Sequence, residues 1–272
     1  MKRHIGRVIP PYSDPKHALS AITLEHVTVS YNGRPALDEV TATFCCGERV
    51  AIVGPNGAGK STLFKAITGL LPIDAGHICL HGEQPDARSR LAYVPQREAI
   101  DWSFPVTVAD VVMMGRYGRL GWFRQPGRHD RAIVARSLER VGMADYSQVQ
   151  IGELSGGQQQ RVFLARAVAQ EADLLLLDEP FNAVDLATQQ ATFELLDELQ
   201  REGKTVITAT HDLATVAEHF DRVLVLNRRV IAFGPAAEVF TPQVLTEAYG
   251  GQLAMIPANG DMLIGISDAH GV

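Results

Sequence analysis

The chain has 272 residues, a formal net charge of -6, 46% apolar residues and 21% charged residues. These values fit one large globular domain with a substantial core, and they argue against disorder and against a broadly basic nucleic-acid binder. Apolar runs such as Leu174–Leu177 and Val223–Leu226 are far too short to span a bilayer, so membrane association is expected only through a partner protein.

Residues 1–20 contain three prolines and little periodicity, and read as an N-terminal extension. The start is basic, but no apolar segment follows Met1-Lys2-Arg3-His4, so a secretory signal is not expected. From Ala21 the alternation of Ile22, Leu24, Val27 and Val29 predicts half-buried strands. Asn32-Gly33-Arg34-Pro35 predicts a turn, followed by extended chain from Ala36 to Phe44 and a buried strand over Arg49–Val53. A helix is expected over Ser61–Thr68, ended by Gly69 and Pro72, then strands at Ile78–Leu80 and Leu91–Val94. Between Gln96 and Leu154 the chain is aromatic, Met- and Arg-containing and helical by pattern (Val108–Gly115, Asp130–Val141), which reads as an inserted helical lobe at about 97–165. Next come a helix from Ser155, as its cap, to Ala169, a buried strand Leu174–Leu177, and a helix Ala187–Glu202. Strand Thr205–Ala209, a short helix from Leu213, and strands Arg222–Leu226 and Val230–Phe233 complete the pattern. Such alternation predicts a mainly parallel α/β core over 21–258, with 259–272 as a loose C-terminal tail.

Three cysteines, Cys45, Cys46 and Cys79, fit a reduced compartment. Adjacent Cys45 and Cys46 would point to opposite faces of a strand, and the nine histidines lack ligand spacing, so no metal cluster is expected.

Chemistry concentrates in a few runs. Gly54-Pro55-Asn56-Gly57-Ala58-Gly59-Lys60-Ser61, continuing into Thr62, has P-loop spacing between a strand and a helix. Glycine is needed there so that successive N–H groups can face phosphates without a Cβ in the way. Lys60 is then expected on the outer phosphates of ATP and the Ser61 hydroxyl on Mg²⁺. Leu174–Leu177 ends in two carboxylates. Asp178 is suited to the Mg²⁺ site and Glu179 to orienting or deprotonating the attacking water, although taken alone the pair could simply end a strand. His211, after another apolar strand, could reach the terminal phosphate and hold Glu179 and the water. Gln96, at a further strand end, could touch Mg²⁺ or water and sense the nucleotide. Tyr31, expected on a sheet edge, could stack on adenine or be an ordinary strand aromatic.

A second Gly-rich helix start, Ser155-Gly156-Gly157-Gln158 after Leu154, offers unpaired N–H groups and the positive end of a helix dipole. One chain thus carries two phosphate-facing turns but one lysine-bearing loop. The simplest arrangement is a head-to-tail pair, with each nucleotide between the loop of one copy and the second turn of the other.

In that order, Gly54–Ser61, Gln96, Leu154–Gln158, Leu177–Pro180, Asp185 and His211 resemble the ATP-binding subunits of ABC transporters, over nearly the whole chain from Ile22 to Tyr249. The resemblance implies the ABC ATPase fold: an α/β P-loop NTPase (RecA-like) core with an antiparallel β subdomain and an inserted α-helical subdomain. It implies Tyr31 as the adenine-stacking aromatic, Gln96 as the switch glutamine, Ser155 to Gln158 as the signature acting in trans, and Asp185 as a dimer contact. Asn182-Ala183-Val184-Asp185 departs from the Ser-Ala-Leu-Asp of many relatives but keeps Asp185.

Ser103 to Val108 and Asp110 to Gly118 look like the importers of manganese, iron and zinc; Phe181 to Asp185 is similar to them too, except that Ala183 replaces a glycine common there. That group implies an ATPase dimer beneath membrane permease subunits at the cytoplasmic face. The metal is then selected by an external metal-binding protein and the permease. Siderophore, haem or cobalamin importers share the size and motif order, and a soluble ABC ATPase without transport or an exporter are further alternatives. Trp102, Phe104, Tyr117, Trp122 and Phe123 are candidates for a groove that receives a permease helix, or for the core of the lobe.

Overall fold

The computed structural model describes residues 20–83, 91–96, 104–120, 125–182, 184–250, 253–258 and 261–266, the last two segments by their backbone. The chain divides into two compact units, one of Met1–Gln84 with Ala209–Val272 and one of Pro85–Thr208.

The first unit opens with β1 (Ser20–Tyr31) and β2 (Arg34–Cys45), an antiparallel pair, and β4 (Ala75–Leu80) joins the other side of β1. Ile22, Leu24, Val27 and Val29 are all buried. Their three-residue step at Leu24–Val27 coincides with a register shift, where His26 takes φ 50 and its N–H donates to Thr41 Oγ1 at 3.0 Å. A bulge therefore keeps both halves of the strand facing one core. The hairpin is tighter than the sequence predicts: only Asn32 and Gly33 turn, and Pro35 already pairs with Ser30. Cys45 ends β2 whereas Cys46 lies in the turn beyond it, so the two are not consecutive strand residues as predicted; none of the three cysteines is in a disulfide.

The same unit holds β3 (Arg49–Val53), β8 (Arg222–Asn227) and β9 (Arg229–Pro235), in the order β3-β8-β9. β3 and β8 pair in parallel and β9 returns antiparallel. Helix α1 (Lys60–Ile67) follows β3, and α6 (Leu213–His219) precedes β8. Two helices absent from the sequence reading, α7 (Ala236–Val239) and α8 (Pro242–Tyr249), come next. The signal for α8 was local: Thr241 caps the Val244 N–H and Pro242 occupies the first turn, where its missing N–H costs nothing. The expected loose tail is corrected in part: β10 (Leu253–Ala258) and β11 (Asp261–Ile266) form an antiparallel hairpin. Leu253–Ala258 contains no polar residue and Asp261–Ile266 only Asp261, so neither run alternates.

The second unit is built on β5 (Leu91–Val94), β6 (Leu174–Asp178) and β7 (Thr205–Thr210), in that order, with α2 (Val108–Leu120), α3 (Arg128–Arg140), α4 (Gly156–Ala169) and α5 (Leu186–Arg201). One continuous apolar core joins these helices to the strands, through residues such as Val112, Leu138, Val162, Leu164, Leu177 and Leu196. The predicted lobe limit near 165 falls inside α4, because a helix whose inner face is continuous with the sheet core has no reason to break there.

Two features tie the helices together. Arg116, 4% exposed, donates to Asp130 Oδ1 at 3.1 Å, Ala169 O at 2.7 Å and Glu171 Oε2 at 2.8 Å, linking α2, α3 and the end of α4. The Gly127 N–H, and then Arg116, hold the Asp130 carboxyl below its ordinary range. One residue before Arg116, Gly115 lets α2 touch the α4 backbone: a Cβ there would stand 2.4 Å from Arg166 O. Gly115→Ala is expected to force the helices apart and cost about 1–3 kcal/mol, the scale of core overpacking. Urea unfolding measures it, with Gly118→Ala as the control, since a Cβ at Gly118 meets nothing within 4 Å.

Candidate functional site

In the first unit the phosphate-type loop grows out of β3, all five of whose residues are buried. The loop is pinned on both sides. Arg228 N–H donates to Ala58 O at 2.8 Å, and a Cβ on Gly54 would stand 2.0 Å from Leu226 O. Gly59, just before α1, is left-handed at φ 99, and a Cβ there would lie 2.5 Å from Ala36 O. Conformation and space therefore both demand glycine. No side chain caps α1 and its first turn holds no acidic residue. The N–H groups of Lys60, Ser61 and Thr62 thus open a helix with neither a competing acceptor nor a negative charge, which is what an anion requires.

Lys60 is 7% exposed, and its ammonium donates to Gly54 O at 2.8 Å and Pro55 O at 3.4 Å, curling over the loop. Asn56 and Gly57 are exposed, and Ser61 and Thr62 half-buried. The loop fits a polyphosphate: backbone donors, one cation and a hydroxyl, with every obstructing Cβ deleted.

Two more predicted residues lie in this unit. Tyr31 is 46% exposed, which suits a stacking surface. It ends β1, the middle strand of its sheet, and so is not on a sheet edge as predicted. It stands clear because the β4 pairing stops at Thr28, three residues earlier. His211 is exposed directly after β7, and Asp212 caps α6 through the Ala214 and Thr215 N–H groups at 3.1 and 3.2 Å.

In the second unit, β5 and β6 run in parallel with Val94 beside Leu177. Gln96, half-buried, and the pair Asp178–Glu179 therefore leave the same end of adjacent strands. Asp178 is 2% exposed and accepts the Tyr93 O–H at 3.4 Å. Burial, and then the Asp178 charge, push the Tyr93 hydroxyl far up, so it stays a donor. Glu179 sits at φ 52, in the left-handed region a glutamate rarely adopts, with the Asn182 N–H on its carbonyl at 3.2 Å. Strain of this kind is held only where the surroundings over-determine it, and it clusters at functional sites. Ser61, Gln96 and Asp178 all offer oxygen donors, the chemistry of a hard cation such as Mg²⁺. Among the described residues no three His, Cys, Asp or Glu side chains gather to hold a metal, and no helix is long and apolar enough to cross a membrane.

The second glycine turn forms as predicted. Ser155 caps α4, accepting the Gln158 N–H at 3.4 Å, while the Ser155 N–H donates to Gln158 Oε1 at 2.9 Å. This reciprocal box leaves Gly156 and Gly157 as a bare backbone surface. Gln159 braces the approach by donating to Ile151 O at 3.1 Å. Asp185 caps α5 and accepts the Thr188 N–H at 2.8 Å, a bond that holds its carboxyl below the ordinary range. Tyr93 and Thr188, which position Asp178 and Asp185, escaped the sequence reading. The available signal was only their place, Tyr93 three residues before Gln96 and Thr188 at the third position of a capped helix. Phe104 and Tyr117 are 59% and 53% exposed, so neither is lobe core; Trp102, Trp122 and Phe123 lie outside the described residues.

Residues 37–182 match the ABC transporter family. The chain is 52% identical to a zinc transport system ATP-binding protein of Treponema pallidum, over 86% of this chain and 88% of that protein. It is 49% identical to a manganese transport system ATP-binding protein of Bacillus subtilis, over 86% of this chain and 94% of that one. Among solved structures, the ADP conformation of an ATP-binding cassette of an ABC transporter matches with a TM-score of 0.73 and 25% identity, covering 85% of this chain and 99% of that one. Gly59→Ala is expected to abolish nucleotide binding, because the methyl group displaces the loop from Ala36; equilibrium binding of a fluorescent ATP analogue tests this, and retained affinity would refute it.

Proposed function

The chain belongs to the ABC transporter family, and on that footing we propose that it is the ATP-hydrolysing subunit of an importer of manganese, iron or zinc ions, working as a head-to-tail dimer. The observation that carries the cargo is its near-half identity, along almost the full length, to ATP-binding proteins of zinc and manganese transport systems. The stretch Ser103–Gly118 agrees with it.

In this reading the backbone of Gly54 to Thr62 (Gly54, Pro55, Asn56, Gly57, Ala58, Gly59, Lys60, Ser61 and Thr62) cradles the phosphates of ATP. Lys60 pairs with the outer ones and Tyr31 stacks on the adenine. Ser61, Gln96 and Asp178 would hold Mg²⁺, which when bound neutralises charge on the phosphates. Glu179 takes the proton of the attacking water, and His211 keeps that water and the carboxylate in place. The Ser155–Gln158 signature of the second copy completes the anion site: Gly156 and Gly157 offer helix-start N–H groups, Ser155 and Gln158 hold that turn, and Asp185 lies alongside. Closing the pair on ATP and reopening it after hydrolysis shifts the population between two states of the permease, which is the work delivered.

The permease subunits at the cytoplasmic face of the membrane are the direct partners, and the exposed Phe104 and Tyr117 are apolar surface available to them. The external metal-binding protein acts through the permease. The ATPase itself never touches the cargo, and its acidic balance gives no footing for nucleic acid.

Glu179→Gln is expected to bind ATP normally, slow hydrolysis by about 10²–10⁴-fold and accumulate as an ATP-bound dimer on size-exclusion chromatography. Fast turnover by that variant removes Glu179 as the base. Ser155→Arg is expected to keep ATP on its own loop yet lose hydrolysis, because the side chain enters the partner's phosphate site. In cells lacking the chain, uptake of at least one of the three metals should fall and return with wild type but not with Glu179→Gln; unchanged uptake of all three refutes the cargo.

A further inference from the structure

The starts of α4 and α5 meet at one side chain, Thr188, which is 3% exposed. Its hydroxyl donates to Asp185 Oδ2 at 3.2 Å while its N–H donates to Asp185 Oδ1 at 2.8 Å, so both carboxylate oxygens are held from one residue. The same side chain lies against the signature turn. A Cβ on Gly157 would stand 3.1 Å from Thr188 Oγ1, 3.5 Å from Thr188 Cγ2 and 3.6 Å from Asp185 Oδ2. Gly157 is not among the residues with positive φ, so it is glycine there for approach and not for conformation.

We propose that Thr188 is a positioning residue that locks the Asp185 carboxylate and the Gly156–Gly157 turn into one rigid piece. Both then meet the second copy's nucleotide in fixed register. The inference rests on the reading that these two turns act on the partner's ATP, and adds the device that keeps them aligned. Each side of the lock is stiff in itself. The Ser155–Gln158 box fixes the turn on α4. On α5, Thr192 Oγ1 donates to Thr188 O at 2.8 Å, and Phe193 stacks on Phe181 at 4.3 Å between ring centroids, bracing the chain before Asp185. The carboxylate is exposed, so without the hydroxyl it is left with backbone N–H donors alone and gains freedom to rotate toward water. A slack Asp185 and a slack turn would still exist, but no longer as one surface.

The test uses the full chain. Thr188→Val keeps the volume and removes the donor; Thr188→Ser keeps the donor. Thr188→Val is expected to lower kcat for ATP hydrolysis about tenfold at unchanged KM, the scale of coupling between residues in contact. It should also quicken amide exchange of Gly156 to Gln159 by a similar factor, while Thr188→Ser stays near wild type in both. Gly157→Ala should slow hydrolysis, and adding Thr188→Ala, which clears both contacting atoms, should cost nothing more. Wild-type rates and exchange in Thr188→Val, quickened exchange with unchanged kcat, or additive losses in the Gly157 pair would each overturn the proposal. Normal hydrolysis by Ser155→Arg would overturn the premise instead. The exchange rates need neither ATP nor a partner, so they report on the lock separately.

Discussion

A phosphate held by the backbone of a helix start needs first N–H groups that nothing else covers, and most of what is distinctive in this chain serves that condition. Ordinary helices end the problem of unpaired N–H groups with a side-chain cap. α5 and α6 do so here, with Asp185 and Asp212. α1 does not: Gly59 brings no side chain, and its left-handed backbone turns the loop so that Lys60 closes it from above. The surrounding structure bears the resulting constraint, with the Ala36 and Leu226 carbonyls set where any Cβ would collide.

α4 solves the same problem differently. Ser155 does cap it, but its hydroxyl takes only the Gln158 N–H, and the returned bond from Ser155 N–H to Gln158 makes the turn rigid. The glycines between remain bare. Rigidity is then a property of neighbouring turns as well: Asp185 is held through both oxygens by Thr188, and Thr188 fills the space that Gly157 leaves. Around Asp178 the logic repeats, since a carboxylate delivered by a buried strand is oriented by the Tyr93 hydroxyl from the adjacent strand.

Much of this was legible beforehand because it follows from short-range rules. The P-loop, the cap at Ser155, the two carboxylates after Leu177 and the strand–helix order each depend on residues within a few positions of one another, and each formed near the expected place. The misreadings have a different origin. Tyr31 was assigned to an edge, but strand order is set by which faces bury each other, and β4 returns to the far side of β1. The β10–β11 hairpin lies in a stretch without alternation, and the predicted lobe boundary near 165 falls inside α4, whose buried face is continuous with the sheet core.

The sequence by itself determined the chemistry on offer: a lysine, a hydroxyl, two carboxylates and two glycine turns, in an order that implies ATP. Local backbone preference is enough for that, since glycine, serine and aspartate act on their own turns. Only the tertiary structure decided which residues support them. Thr188 beneath Gly157, Tyr93 on Asp178 and Arg116 between three helices are meetings of residues far apart in the chain. Such partners are chosen by the close packing of buried faces, which no local spacing encodes.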